Sequence, residues 1–431
     1  MTAQSDFEPH CIASTGKTFC TSVAGCNPHR EELFSPYPGL RQDGLQSNCF
    51  RSAQISADGS TIVTYSEDQA YRSFILPPTL LDLSPAPHPL PAYSTSTYAT
   101  SHAFALYPYF DLSQPSSTLA LVSQQSLPIR LTNILDFGFT VSTYSWVNEQ
   151  TEAFVSPASF AFTNDATHFV AGTNNALAIF DLQRNGEGPV EEHKSRRSAR
   201  ARKMFGVSHV EISGIINALA IDPSSEILAA GSTNRQIALF EGQGRGACAA
   251  SFELREHGEK ESGVVGNGVS QIKWSGDGRY LFVAERQSDA LLIYDVRVTG
   301  KRMAWLQGRK AKTPQRLGFD LADTPGQGVD LWAGGTDGIF REWKNVTSRE
   351  GPVEPDGAFR ASSDTISSVL LHPTAHLLVT TSGQRLPPED LLPLDDSDTE
   401  TDSAGHPSSA TMSETGRLDN TLNVWAMSQF A

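Results

Sequence analysis

VSQIKWSGDGRYLFVAERQSDALLIYDVR, residues 269–297, holds in one line the unit from which this chain is built. An alternating apolar strand enters a Gly-Asp-Gly turn. A second apolar strand follows, then a polar turn with Asp289, then a third strand ending at Tyr294-Asp295. The same order recurs in INALAIDPSSEILAAGSTNRQIALFEG (216–242), SFAFTNDATHFVAGTNNALAIFDL (159–182) and FRSAQISADGSTIVTYSEDQAYRSFIL (50–76). Three short strands joined by tight turns cannot bury both of their faces alone. Copies that recur at roughly 40–60 residues must pack side by side to do so. The predicted fold is therefore all-β, a closed β-propeller in which each copy is one blade.

Working outward, seven blades can be placed: 48–77, 104–135, 157–184, 213–242, 268–300, 313–344, and a seventh that opens with 366–384 and finishes at 420–427. Third strands close on an aromatic (Phe74, Phe180, Phe240, Tyr294, Trp343, Trp425), with Leu131 in the second blade. In WD repeats this position is usually Trp followed by Asp. Here the acid persists as Asp181, Glu241 and Asp295, and His257-Gly258 is the nearest counterpart of the usual Gly-His. The fold class is thus a seven-bladed WD-repeat β-propeller with degenerate blades, and buried Val, Ile and Leu must supply most of its stability.

The propeller is expected over 48–427, with 1–47 an N-terminal segment partly closing the last blade. That blade lacks its outermost strand, and an open edge invites unwanted pairing. The stretch KTFCTSV (17–23) is expected to fill the gap. Residues 77–98, rich in Pro and Ser, read as an irregular loop. The inserts at about 185–208 and 385–418 read as disordered, because they cannot bury enough apolar surface to order themselves.

Length alone, at 431 residues, would allow about three domains, but closed all-β folds often exceed that prior. A net charge of −15 argues against a globally basic nucleic-acid binder. The charge is segregated, however: residues 389–402 hold seven acids and no base, and residues 194–203 hold six bases and no acid. Such blocks repel internally and favour mobile segments. Five cysteines without a CxxC pair (Cys11, Cys20, Cys26, Cys49, Cys248) point to a reducing compartment. The opening MTAQSDFEPH has no basic-then-apolar leader, and no run approaches the ~20 apolar residues of a membrane span, so an intracellular protein without membrane contact is expected.

The basic block Lys194, Arg196, Arg197, Arg200, Arg202 and Lys203 suits nuclear import, and equally suits phosphate contact with release of counterions. The plain alternative is a solvated loop. Arg286, Arg316, Gln384 and Arg385 fall in turns at the rim, where an arginine fork can meet phosphate or base edges; a structural turn with a paired arginine is the alternative. Gly383 is expected to supply a positive φ there. Tyr65, Tyr109 and Trp146 could stack on unpaired bases, though propeller aromatics are more often core. Ser397 and Thr399, each followed by an acid, suit an acid-directed kinase; a solubilising spacer is the alternative. No HExxH, GxxxxGK[ST] or GxSxG grouping is present. No catalytic residues, metal ligands or cofactor are therefore expected; the alternative is a propeller hydrolase, which would need metal held at the central channel by carboxylates and His from several blades.

TPQR (313–316) with Phe319-Asp320-Leu321, LHPTAHLLVTTSGQR (371–385) and ISGIINALAIDPSSEILAAGS (212–232) resemble the telomerase Cajal body protein family of WD-repeat proteins. In that family the seventh blade is likewise split after Ser-Gly-Gln-Arg by a long acidic insert, before a last strand containing Trp. Here Ser382-Gly383-Gln384-Arg385 precedes the acidic segment and Trp425 lies beyond it. The short N-terminus looks more like the fungal, splicing-associated branch. The resemblance implies a monomeric, non-catalytic adaptor in the nucleus, with the cytoplasm as a second compartment. Its partners would be small nuclear, telomerase-type or small Cajal-body-type RNA together with spliceosomal or telomerase RNP proteins. The alternative is a protein-only scaffold for a nuclear complex.

Overall fold

A computed structural model describes residues 9–18, 41–42, 45–46, 48–82, 84, 86–96, 99–194, 212–254, 264–298, 300–324, 328–384 and 419–427. Besides a two-stranded ribbon at residues 41–42 and 45–46, seven sheets with four antiparallel strands each make the blades; six run in chain order from an inner to an outer strand, and the seventh takes its outer strand from the N-terminal segment. The inner strands are Phe50–Ile55, Ser101–Leu106, Ser159–Phe162, Ile216–Ile221, Val269–Trp274, Phe319–Thr324 and Ile366–Leu371. They converge on one central channel, which closes the sheets into a seven-bladed propeller.

The local pattern explains each strand. Middle strands are sandwiched between neighbouring blades and read as unbroken apolar runs. In blade five, Tyr280–Glu285 is buried after its first residue and Leu291–Asp295 up to its last. Outer strands meet a neighbour on one side only, so Cys248–Glu253 alternates half-buried and exposed. The turn between inner and second strands is built by a short side-chain relay. Ser56 Oγ donates to Asp58 Oδ1 (2.5 Å), which also accepts from the Ser60 amide (3.0 Å); Ser275 and Asp277 repeat this at 2.6 Å, with Arg279 N at 3.1 Å. At the other end of the blade, Asp337 pairs with Arg341 four residues on at 2.7 Å, and Asp68 pairs with Arg72 in the same way.

The core lies between blades. The rings of Phe169 and Phe180 stack at 4.9 Å within blade three, with Tyr144 of blade two edge-on at 4.9 Å. The aromatics ending the third strands are all buried, Phe180, Phe240 and Trp343 completely, and Leu131 fills that place in blade two. Polar bonds stitch inner strands together. The Gln271 amide donates to Phe319 O (2.9 Å) and accepts from Phe319 N (3.0 Å), and Gln54 does the same with Phe104 O and Leu106 N.

Three expectations need correction. The strand that completes blade seven is His10–Ser14, not residues 17–23, of which only Lys17 and Thr18 are among the described residues. It pairs antiparallel with Leu422–Ala426, from His10 opposite Ala426 to Ser14 opposite Asn423. The small side chain of Ala13 is wholly buried, in one apolar cluster with Leu422, Val424, Leu80 and Leu90. Residues 77–98 are not an irregular loop throughout. Ser94–Thr95 is the outer strand of blade one, and His88–Pro89 adds in parallel to His10–Ser14. The insert expected at 185–208 is ordered at its start: Glu191–Lys194 is the outer strand of blade three. Edge strands need little burial, so charged or Pro-rich sequence serves. Residues 195–211 and 385–418 lie outside the described residues.

Blade five gains a fifth strand, Gly351–Val353, running parallel to Arg302–Leu306. Cys11 and Cys248 are free thiols, and burial pushes the Cys11 thiol up to about 11. Among these residues no helix is long and apolar enough to cross a membrane.

Candidate nucleic-acid interface

Because every inner strand runs the same way, the connections entering inner strands and those leaving second strands share one face. Two of the expected rim residues meet there. Arg286 follows the second strand of blade five, Arg316 precedes the inner strand of blade six, and both line a cavity of about 230 Å³ at the channel mouth. Arg51, the second residue of the blade-one inner strand, joins them, with His102, Tyr65 and Asn217. Behind this mouth the channel widens to about 400 Å³, lined by inner strands of all seven blades.

Each arginine is half-buried and held by the protein. Arg316 Nη2 donates to Asn217 O across the channel (3.1 Å), and Arg286 Nη1 donates to Pro314 O (3.1 Å). Arg51 lies 3.7 Å from the Glu67 carboxylate, its guanidinium 5.4 Å from the centre of the Tyr65 ring. Burial lowers the Arg316 pKa to about 10, and the charges of Arg286 and Arg51 push the same way. Burial and then Arg51 lower the His102 pKa below its ordinary 6.5. The mouth is thus a cluster of cations set into a chain whose net charge is −15. Such a well attracts phosphate oxygens, which an arginine fork can engage two at a time.

The other candidates are spread out. Gln384 hydrogen-bonds the Asp364 carboxylate, while Gln315 Nε2 donates to Gly383 O (2.9 Å), tying this turn to the segment that carries Arg316. Gly383 has the positive φ, +128°, and a Cβ there would lie 2.5 Å from that of Cys49. Lys194 sits on the outer rim of blade three, paired with Glu192 at 2.9 Å, away from the mouth. Arg385, Arg196, Arg197, Arg200, Arg202, Lys203, Ser397 and Thr399 lie outside the described residues. Tyr65 is buried at the mouth, its hydroxyl accepting from Ser101 N (3.0 Å). Trp146 is core, donating from Nε1 to Glu192 (3.2 Å), and exposed Tyr109 lies on the opposite face, where its hydroxyl donates to Asn164 O.

Arg51 and His102 escape a reading of the sequence by motif. The readable signal is positional: blades one, two and four each place a polar residue second in the inner strand, as Arg51, His102 and Asn217. Among the described residues no group of three or more His, Cys, Asp or Glu is placed to hold a metal ion.

The ring of seven sheets with its loop-lined mouth defines a WD-repeat β-propeller. Within that class the chain is similar to telomerase Cajal body proteins and to fungal relatives of them. It is 29% identical over 313 residues to the guanine nucleotide-binding protein negative regulator 1 of Schizosaccharomyces pombe, covering 69% of this chain and 71% of that one. It is 28% identical over 349 residues to telomerase Cajal body protein 1 of Mus musculus, covering 79% of this chain and 60% of that one. It is 24% identical over 312 residues to protein SWT21 of Vanderwaltozyma polyspora, covering 70% and 68%. No protein-family model matches the chain.

Proposed function

We propose that this protein is a non-catalytic adaptor of nuclear ribonucleoproteins. It holds small nuclear or telomerase-type RNA on the face that carries the channel mouth, and so supports RNP localisation or pre-mRNA splicing. The observation that carries this reading is the convergence of Arg51, Arg286 and Arg316 on one cavity in a strongly acidic chain. The mammalian relatives, named for telomerase and the Cajal body, agree with it. The basic block from Lys194 to Lys203 adds non-specific attraction or nuclear import.

The test is binding of single-stranded RNA across a salt series. Each phosphate neutralised on that face contributes about −0.7 to the slope of log K against log salt. Binding that is undetectable, or flat with salt, overturns the reading.

A second reading, a protein-only scaffold, is favoured by exposed apolar residues on the same face: Leu127, Val147, Phe154, Ile215 and Val265. RNase treatment of the purified complex separates the two: partners that stay attached support the scaffold, and partners that are released support RNA bridging.

A further inference from the structure

The mouth and the channel behind it are continuous: Arg51, Ser52, Tyr65, His102, Ala158, Asn217 and Arg316 border both cavities. A cation cluster alone needs only a shallow bowl to meet a phosphate. Here the cluster opens into a recess, and the recess exists because small residues line it: Ala53, Ala103, Ala158, Ala218 and Gly318. Phe104 and Phe160 border it as well, with Asn217 and the charged pair Lys273 and Asp320. Arg316 uses one donor on Asn217 O, and the charges acting on its guanidinium are repulsive ones from Arg286 and Arg51. An anion between them relieves that repulsion.

We propose that the channel mouth seats a single nucleotide, its phosphate on Arg51, Arg286 and Arg316 and its base turned into the alanine-lined recess. This rests on the RNA reading above, and assigns the subsite where one residue of a single strand leaves its stack. Phosphate on the forks and a flat ring in the recess use both halves of the cavity. A phosphorylated peptide side chain would fill the charged half alone. Base insertion against small apolar walls is tolerant of sequence, and the Asn217 amide supplies the edge contact that selects.

The experiment titrates the full chain with 5′-AMP, 5′-UMP, inorganic phosphate, a phosphoserine peptide and a single-stranded RNA oligomer. Variants are Arg316→Lys, Arg286→Gln and Ala158→Leu, each first checked for an unchanged melting transition. A nucleoside monophosphate should bind more tightly than inorganic phosphate. Arg286→Gln and Arg316→Lys should each weaken it roughly tenfold, because one loses a charge-assisted bond and the other the fork geometry. Ala158→Leu should block the nucleotide while sparing inorganic phosphate, a pattern that general loss of charge or of fold does not produce. Mononucleotide binding with this pattern but no binding of the oligomer supports the subsite and defeats the RNA-adaptor reading. Salt-dependent oligomer binding untouched by all three variants overturns the subsite and leaves that reading standing. A phosphopeptide that outcompetes 5′-AMP and ignores Ala158→Leu overturns the subsite as well.

Discussion

Arg235 and Glu285 meet between blades four and five as a two-point pair, Nε to Oε1 at 2.6 Å and Nη2 to Oε2 at 3.0 Å, with both residues buried. Removing one partner leaves the other charged in a dry interface, which costs about 3–5 kcal/mol. Glu285→Gln is therefore expected to lower the denaturant midpoint, and Arg235→Met with Glu285→Leu together should restore most of the loss. Asp364 answers to pH. Burial pushes its carboxyl up to about 6 from an ordinary 3.8, against hydrogen bonds from the Thr365 amide and Gln384. A folded-state value above the unfolded one means that the folded protein binds this proton more tightly. The resulting stability is full below about pH 4 and is lost as pH rises through 6. Asp364→Asn, which stays neutral, should gain on the wild type between pH 5 and 7 by on the order of 2 kcal/mol. Chemical denaturation of both proteins at each pH checks this, and parallel curves would defeat it.

Among the elements, the middle strands were the most legible in the sequence, and for a plain reason. A strand covered on both faces by neighbouring blades must be apolar along its length, so Ala176–Asp181 and Leu291–Asp295 announce themselves. The Ser-x-Asp-Gly turns at Ser56 and Ser275 are equally plain, since the relay that builds them is local. Outer strands were not legible. Ser94–Thr95, Glu191–Lys194 and Gly351–Val353 carry Ser, Glu, Lys or Pro, because an edge needs backbone pairing and little burial. The closing strand illustrates both points. His10–Ser14 has one wholly buried side chain, Ala13, and its partner strand lies more than 400 positions away. Ala13→Asp places an unpaired carboxylate against Leu422 and Val424 and should cost roughly 3 kcal/mol or more. Hydrogen exchange reads the consequence: amides of Leu422–Ala426 should lose protection while those of Gln236–Phe240 keep theirs.

At the scale of the whole molecule, the ring is what gives the face its meaning. Arg51, Arg286 and Arg316 come from blade one, the end of blade five and the entry to blade six, and only closure sets them around one opening. The same closure laces the channel below them. Asp320 accepts from Lys273 Nζ of blade five (2.5 Å) and from the Leu371 amide of blade seven (2.9 Å), so three blades share one carboxylate. The stem of the acidic insert is fixed there as well. Gln384 before it and Asp419 after it both contact Asp364, and Ser362 Oγ donates to Asp419 (2.9 Å). The chain thus enters and leaves its acidic segment at one anchored point on the face that carries the cations. That segment lies outside the described residues.

The sequence by itself determined the repeat, the number of blades, the aromatic or leucine at each third strand, and two of the three mouth arginines. All of these are set by periodicity or by neighbours a few positions apart. Tertiary structure alone decided which segment closes the ring, where the edge strands lie, and that Arg51 and His102 join Arg286 and Arg316. Those choices depend on side chains and backbone edges meeting across hundreds of residues, and no local pattern of charge or hydropathy encodes such a meeting.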